Sequence, residues 1–346
     1  MYPYFIGLDV HKKVIAYCVK TADGRIVEEG KIPANRPALE QWVKRLPGAW
    51  HGGMEATMFS HWVYYYLKPY AARLEMGHAA RMKAISAGKK KSDKIDARTI
   101  ADLLRCNLFP ACYVIPPEMG ALRRQLRFRR LLVQETVMFK NKTAGLLMEA
   151  GVEYERRRLH GKRYFKELVQ DNEWIGQEMQ PLLAFNREQI ETLQAMDESL
   201  IRMLERHPRL QARVEALQAI NAVGPVTALT WALEVATPER FASAKQAMSY
   251  CGLTSALRES AGQQKRGPLS KQRNPHLQSV LIEAAKIAPM FNEKLKQVQA
   301  KAKEKGGHAN RATVAVARKL VTYLLSADRA FLAAHGGDAA DRGSVF

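Results

Sequence analysis

What this sequence lacks narrows it first. No run approaches the roughly 18 apolar residues that a spanning helix requires, and the opening MYPYFIGLD carries an acid inside its apolar stretch, unlike a signal peptide. The expectation is a cytoplasmic protein with no membrane partner. Cys18, Cys106, Cys112 and Cys251 show no C-x-x-C spacing. Zinc ribbons and disulfides are therefore not expected, and buried apolar thiols are the simple reading. Nine histidines are scattered without a ligand cluster, and no compact base-reading finger is present. Acids are scarce too: 34 Asp plus Glu stand against 54 Lys plus Arg, a formal net charge of +20. That excess favours a polyanion such as nucleic acid and says nothing about fold.

A chain of 346 residues has room for two domains, each with its own core. Apolar stretches at 4–10, 14–19 and 26–32, the last two joined by the turn Ala22-Asp23-Gly24, predict a three-strand meander. Asn35 is a candidate cap for a helix entered near Pro37, with Leu39, Trp42, Val43 and Leu46 on its apolar face. A strand at 49–54, a helix from Ser60 to Tyr70 and a strand near Leu74 to Met76 complete an α/β order with a mixed sheet.

Beyond Asp96 the pattern turns helical. Long helices are predicted from Met119 to Glu149 and from Pro181 to Arg206, forming either an oligomerisation arm or a self-satisfied helical hairpin. LQAINAVGPVTALTWALEVA reads as helix, tight turn at Asn221 to Gly224, and helix entered through Pro225. Ser243 can cap a short helix, which leads into the polar, basic segment LTSALRESAGQQKRGPLSKQRN. Helices are expected at 276–287, 291–304 and 310–325. The division is 1–115 as an α/β domain, 116–208 as arm and linker, 209–330 as a mostly helical domain, and 331–346 as a disordered tail.

The chemistry-bearing residues are carboxylates. Asp9 ends the first apolar strand, where an acid is costly unless paired or metal-bound. Glu55 follows a later strand in HGGMEAT, whose glycines permit close backbone approach. Asp93 and Asp96 stand three apart at a helix start, so their side chains can share a face. Oxygen-rich donors suit Mg²⁺, and two such ions can serve the attacking and leaving oxygens of a phosphodiester. The bland alternative makes Asp93 a helix cap and pairs Asp96 with Lys94 or Arg98. Arg81, Lys83, Lys89, Lys90, Lys91 and Lys94 place cations beside the pair, as phosphate backbones require. A basic stripe at Arg123, Arg124, Arg127, Arg129, Arg130, Lys140 and Lys142 suits backbone binding as well. From the residues alone no serine stands out among Ser255, Ser260 and Ser270.

The strings GLDVHKK (7–13), MEAT (54–57) and KSDKIDARTIADLL (91–104) resemble the DEDD-type transposases of the bacterial insertion-sequence family numbered one hundred and ten. LRRQLRFRRLLVQETVMFKNKTAGLL, INAVGPVTALTWALEV, AKQAMSYCGL, RGPLSKQRNPHL and AVARKL extend the likeness over nearly the whole chain. The resemblance implies an RNase H-like domain of the Holliday-junction-resolvase type holding two Mg²⁺ on Asp9, Glu55, Asp93 and Asp96. It also implies a nucleophilic serine at Ser260, with Ser255 as the neighbouring candidate, that forms a covalent 5′-phosphoserine link during DNA strand exchange. Arg258, Lys265, Arg266, Lys271 and Arg273, with the turn backbone at Val223 and Gly224, would hold phosphates. The implied partners are donor and target duplex DNA, a noncoding bridge RNA that pairs with both, and further copies of the chain, as a dimer assembling to a tetramer. Two rivals use fewer of these parts: a resolvase-like nuclease that hydrolyses with water, and a nonenzymatic nucleic-acid scaffold.

Overall fold

A computed structural model of the protein describes residues 2–85, 92–170, 172–260, 263–305 and 308–335. It divides into two compact units, 1–117 and 118–346.

The first unit is built on a mixed sheet. Strands β1 (Tyr4–Val10), β2 (Val14–Thr21) and β3 (Ile26–Pro33) form the meander, followed by helix α1 (Arg36–Val43), β4 (Trp50–Glu55), helix α2 (Ser60–Leu67), β5 (Arg73–Gly77), helices α3 (Ala79–Ile85) and α4 (Asp93–Arg105), and β6 (Ala111–Cys112). The strand order is β3-β2-β1-β4-β5-β6. β1 pairs antiparallel with β2 and parallel with β4, and β5 continues parallel to β4. This is the RNase H-like arrangement implied by the resemblance. Asn35 caps α1 by accepting from Ala38 N at 2.9 Å, as its position before Pro37 predicted.

Alternation along β1 sorts its side chains onto two faces. Ile6, Leu8 and Val10 join Leu39, Trp42, Val63 and Leu67 in one core. Phe5 packs on the other face with Ile100, Leu103 and Leu104 of α4. Between them, Gly7 meets α4 at backbone distance: a Cβ built there would lie 2.0 Å from Ala97 O and 2.6 Å from Ala101 N. The helix is pinned laterally by Lys20 to Asp102 at 2.5 Å and by Glu29 to Lys94 and Arg98, each at 2.6 Å.

The second unit is mostly helical. It holds the long α5 (Pro117–Glu149), α6 (Lys162–Gln170), the long α7 (Met179–Glu205), α8 (Gln211–Gln218), α9 (Pro225–Val235) and α10 (Ala244–Tyr250). Strands β7 (Ser255–Ser260) and β8 (Gln263–Leu269) and helices α11 (Pro275–Ile287), α12 (Glu293–Glu304) and α13 (Ala309–His335) complete it. α5 and α7 pack as an intramolecular hairpin, with Arg129 Nε 2.8 Å from Asp197 Oδ1 and Phe139 edge-on to Phe185. A small core of Leu147, Val152, Leu159, Phe165, Ile175 and Leu183 closes its far end. At the near end Leu122, Leu126 and Leu204 join the large core around α9, so the arm is rooted in the helical domain.

Two expectations need correction. The polar segment after α10 is an antiparallel β-hairpin, with Arg258 opposite Lys265 and Ser260 opposite Gln263. Its alternation was masked by Gly and Pro, which a two-stranded edge tolerates. The last helix also runs ten residues past the predicted 325, to His335, where Phe331 stacks on the His335 ring; residues 336–346 lie outside those described. Cys18 and Cys251 are buried as expected, while Cys106 is exposed. No described helix is long and apolar enough to cross a membrane.

A buried charge cluster ties α8, α9 and α13 together. Asp328, fully buried, accepts two bonds from Arg213 at 2.7 Å and one from Trp231 Nε1 at 2.9 Å. Asp328→Ala strands a buried guanidinium and is expected to cost about 3–5 kcal/mol in urea unfolding; a loss below about 1 kcal/mol would show the cluster to be incidental. Gly7→Ala must push α4 off β1 and is expected to cost about 2–3 kcal/mol in thermal unfolding. Gly145→Ala on α5, where a Cβ meets nothing within 4 Å, is expected to be neutral or slightly stabilising.

Candidate active site

The close approach at Gly7 decides where the acids go. Two residues further along β1, on the same face, stands Asp9; on α4 Asp96 immediately precedes Ala97 and Asp93 lies about one turn before it. β1 and β4 run parallel with Leu8 opposite Met54, so Asp9 and Glu55 end adjacent strands side by side. Gly53, two residues before Glu55, also faces α4, through Leu104. Asp9 and Glu55 thus stand at the carboxyl ends of two neighbouring parallel strands, and Asp93 and Asp96 at the start of the helix that crosses β1.

The grouping is closest for Asp9 and Asp93, and it includes a residue that sequence patterning does not single out. Asp9, His11 and Asp93 each offer a ligand atom, and these atoms lie within 4.8 Å of one another. His11 Nε2 is 3.0 Å from Asp9 Oδ2 and 3.5 Å from Asp93 Oδ1. The histidines are thus not all outside a ligand cluster. A single His two residues from one acid and eighty-two from the other makes no pattern in sequence; the turn between β1 and β2 brings it back. Glu55 and Asp96 stand outside this tightest group.

Electrostatics mark the same place. Asp9 has only 13% of its side chain exposed, and burial raises its pKa above the ordinary aspartate value; His11 opposes that rise, while Asp96 and Asp93 add to it. Asp93 is lowered, first by its hydrogen bond from Lys31 at 2.6 Å. The bland roles for the pair go elsewhere. Ser92 caps α4 by accepting from Ile95 N, and Lys94 and Arg98 are both taken by Glu29. Arg98 first and then Lys94 hold the Glu29 carboxyl down at about 2. A depressed acid contributes stability above its unfolded pKa near 4.5, so this pin weakens as pH falls from there toward 2.

The donor set fits a hard divalent cation. Carboxylate oxygens on Asp9 and Asp93 suit Mg²⁺ or Mn²⁺, whereas the imidazole of His11 is a poor ligand for Mg²⁺. With more than half of its side chain exposed, His11 is free to turn away from Asp9.

The other predicted contacts fare unevenly. Arg81 and Lys83 lie on α3, while Lys89, Lys90 and Lys91 lie outside the described residues. Lys94 is held by Glu29, and Arg127 is bound in two places by Glu234; Arg123 lies 3.9 Å from the same carboxylate. Arg124, Arg130, Lys140 and Lys142 form no ion pair among the described residues and keep the stripe on α5 basic. Val223 is buried and donates its amide to Ile220 O at 2.9 Å, so that amide is already spent within the turn. Gly224 is exposed at the start of α9, and Lys271 and Arg273 are exposed just before α11. Ser260 ends β7 opposite Gln263, with Arg258 two residues before it and Lys265 and Arg266 on the facing strand.

Asp9, His11 and Asp93, at a strand end and a helix start with Lys31 beside them, form a group able to hold a divalent cation, as a nuclease-type enzyme site does. Comparison with known proteins agrees. Residues 6–151 match the DEDD transposase model of the IS110 group, and residues 214–300 match the model described as transposase IS116/IS110/IS902 family. A Pseudomonas aeruginosa protein named "Probable family 20 transposase" is 27% identical over 81% of this chain and 82% of its own length. The transposase for insertion sequence element IS1533 of Leptospira borgpetersenii is 24% identical over 67% of this chain and 69% of its own. The chain belongs to the IS116/IS110/IS902 family of transposases.

Because Asp9 sits partly buried among like charges, Asp9→Asn is expected to leave the metal-free protein at least as stable as the wild type while abolishing stabilisation by metal. Thermal unfolding with and without MnCl₂ checks both. A destabilised variant that still gains stability from Mn²⁺ would remove Asp9 from the metal site.

Proposed function

We propose that this transposase cuts DNA at the N-terminal acids in a reaction that depends on bound Mg²⁺. The observation that carries the reading is the convergence of Asp9 and Asp93 within one 4.8 Å group, with the charge of Asp96 acting on Asp9 and Glu55 on the adjacent strand end. Asp9 and Asp93 would hold the ion, and Glu55 and Asp96 bring the oxygen donors to the number that two ions need. Bound there, Mg²⁺ supplies Lewis-acid stabilisation of charge developing on the phosphate oxygens. The protein's own part is placement. Gly7 fixes the helix start over the strand ends, and Lys31, exchanging Asp93 for a phosphate, orients the backbone that enters. Water is a sufficient nucleophile for cleavage at such a site.

A second reading adds Ser260, supported by its position at the end of a strand paired with Gln263–Leu269, with basic residues in both strands. In this route the serine oxygen bonds to phosphorus, the strand leaves with a 3′-hydroxyl, and the 5′-phosphate stays on the enzyme. The retained phosphoester then serves rejoining without ATP. The net charge of +20 and the α5 cations outside ion pairs support a bound polyanion beyond the DNA being cut, such as a bridge RNA that chooses sites by pairing. Exposed apolar residues along the arm, including Val137, Met138, Met196 and Met203, support self-association.

Cleavage of labelled DNA in Mg²⁺ tests these readings. Asp9→Asn is expected to lower the rate on the order of 100-fold or more; an undiminished rate would contradict the carboxylate site. A denaturation-resistant protein–DNA adduct lost in Ser260→Ala and kept in Ser255→Ala supports the serine route. Full cleavage by Ser260→Ala without any adduct reduces the reaction to hydrolysis. Strand transfer that requires RNA recovered with the protein supports guidance, and indifference to that RNA removes it.

A further inference from the structure

Away from the acids, within the second unit, a cleft of about 770 Å³ opens between α5, α9 and the start of α11. Its walls are clamped from beneath. Glu234, almost fully buried on α9, receives Arg127 at 2.6 and 2.7 Å and Asn274 Nδ2 at 2.8 Å. Asn274 in turn caps α11, accepting from His276 N at 3.0 Å and Leu277 N at 3.2 Å. One buried carboxylate thus joins α5, α9 and α11, and Gln278 adds a bond to Gly252 O at 2.6 Å. The cleft is preformed.

Its charges do not cancel. Arg127 is met by Glu234, Arg129 by Asp197 at 2.8 Å, and the cleft's other acid, Glu283, by Lys286 at 2.7 Å. Neither Arg130 nor Arg273 has an ion pair among the described residues, and Arg273 donates to the carbonyl of Ser270 at 3.2 Å. Two of the four arginines lining the cleft therefore stand outside ion pairs among the described residues, and its acids are already satisfied. His276 shares the same lining. Its pKa is lowered by burial first and then by Arg127, Arg130 and Arg123 against the opposing Glu234, so the ring is a neutral donor and acceptor at pH 7. Leu126, Val226 and Val280 supply an apolar wall.

We infer that this cleft binds an unpaired nucleic-acid strand, Arg130 and Arg273 holding a phosphate while His276 and the apolar wall receive the adjoining base. Guanidinium pairs match phosphate oxygens, and a base needs one flat apolar face and a polar edge. The volume is that of a small-ligand pocket, with room for a nucleotide or two and far too little for a duplex. The inference rests on the reading that the chain handles nucleic acid, and it is independent of the acids that cut.

The test uses the full chain in EDTA, which removes metal-dependent binding at the acids. Fluorescent oligothymidylate and oligouridylate are titrated by anisotropy across a salt series, with melting curves as the folding control. Arg130→Gln and Arg273→Gln are each expected to weaken binding about tenfold and to flatten the slope of log affinity against log salt by about 0.7 for each arginine replaced. Arg130→Lys, which keeps the charge, is expected to recover part of the affinity. A 5-iodouracil oligonucleotide is expected to crosslink within residues 273–283. The inference is overturned if both Gln variants bind like the wild type, if crosslinks fall only elsewhere, or if duplex or inorganic phosphate displaces the strand equally well. Cleavage lost in Asp9→Asn with no effect at this cleft leaves the proposed function standing and removes only the cleft; the reverse result removes the cutting site and keeps the cleft.

Discussion

A helix can rest on a strand at backbone distance only where the strand carries no side chain, and in this protein that place is Gly7. Its Cα faces Ala97 and Ala101 so closely that no Cβ fits between them. The contact fixes how far α4 reaches along β1 and therefore which residues its first turn covers. Asp93 and Asp96 arrive over Asp9 because Gly7 is two residues earlier, a spacing of sequence that becomes a spacing of charge. The pins at Asp102 and Glu29 keep α4 from sliding. They also take Lys94 and Arg98 out of competition for the acids.

The same economy governs the second unit. Its two buried carboxylates, Asp328 and Glu234, are each claimed by an arginine from a distant helix. Breaking either would leave a charge in an apolar core, so the helices are held in one arrangement. Apolar packing around α9 supplies the bulk of the burial, from Ala228 to Val235. The ion pairs select which packing is adopted.

Much of the fold could be read from local patterning. The meander, the α1 cap at Asn35, both long helices and the turn before Pro225 all follow from periodicities and breakers that act within a few residues. The carboxylates were legible for a different reason: an acid ending an apolar strand is costly and invites an explanation. His11, Lys31 and Gly7 were not legible in that way. Their roles depend on residues sixty to ninety positions away, and an exposed His or Lys near a turn is ordinary in sequence. The pairing of Ser255–Ser260 with Gln263–Leu269 was hidden because Gly267, Pro268 and the run of charged residues blur strand alternation. Arg127 read as part of a binding stripe because its partner, Glu234, lies in another helix.

The first turn of α4 and the end of β1 bring Asp9 and Asp93 together at the proposed divalent-metal site. Affinity cleavage tests it most directly. The full chain is loaded with Fe²⁺ in place of Mg²⁺ and treated with ascorbate and peroxide, so that radicals cut the backbone beside the ion. Fragments ending near residues 9, 55 and 93 are expected, suppressed by excess Mg²⁺ and absent in Asp9→Asn. Cuts confined to other segments, or an unchanged pattern in Asp9→Asn, would contradict it.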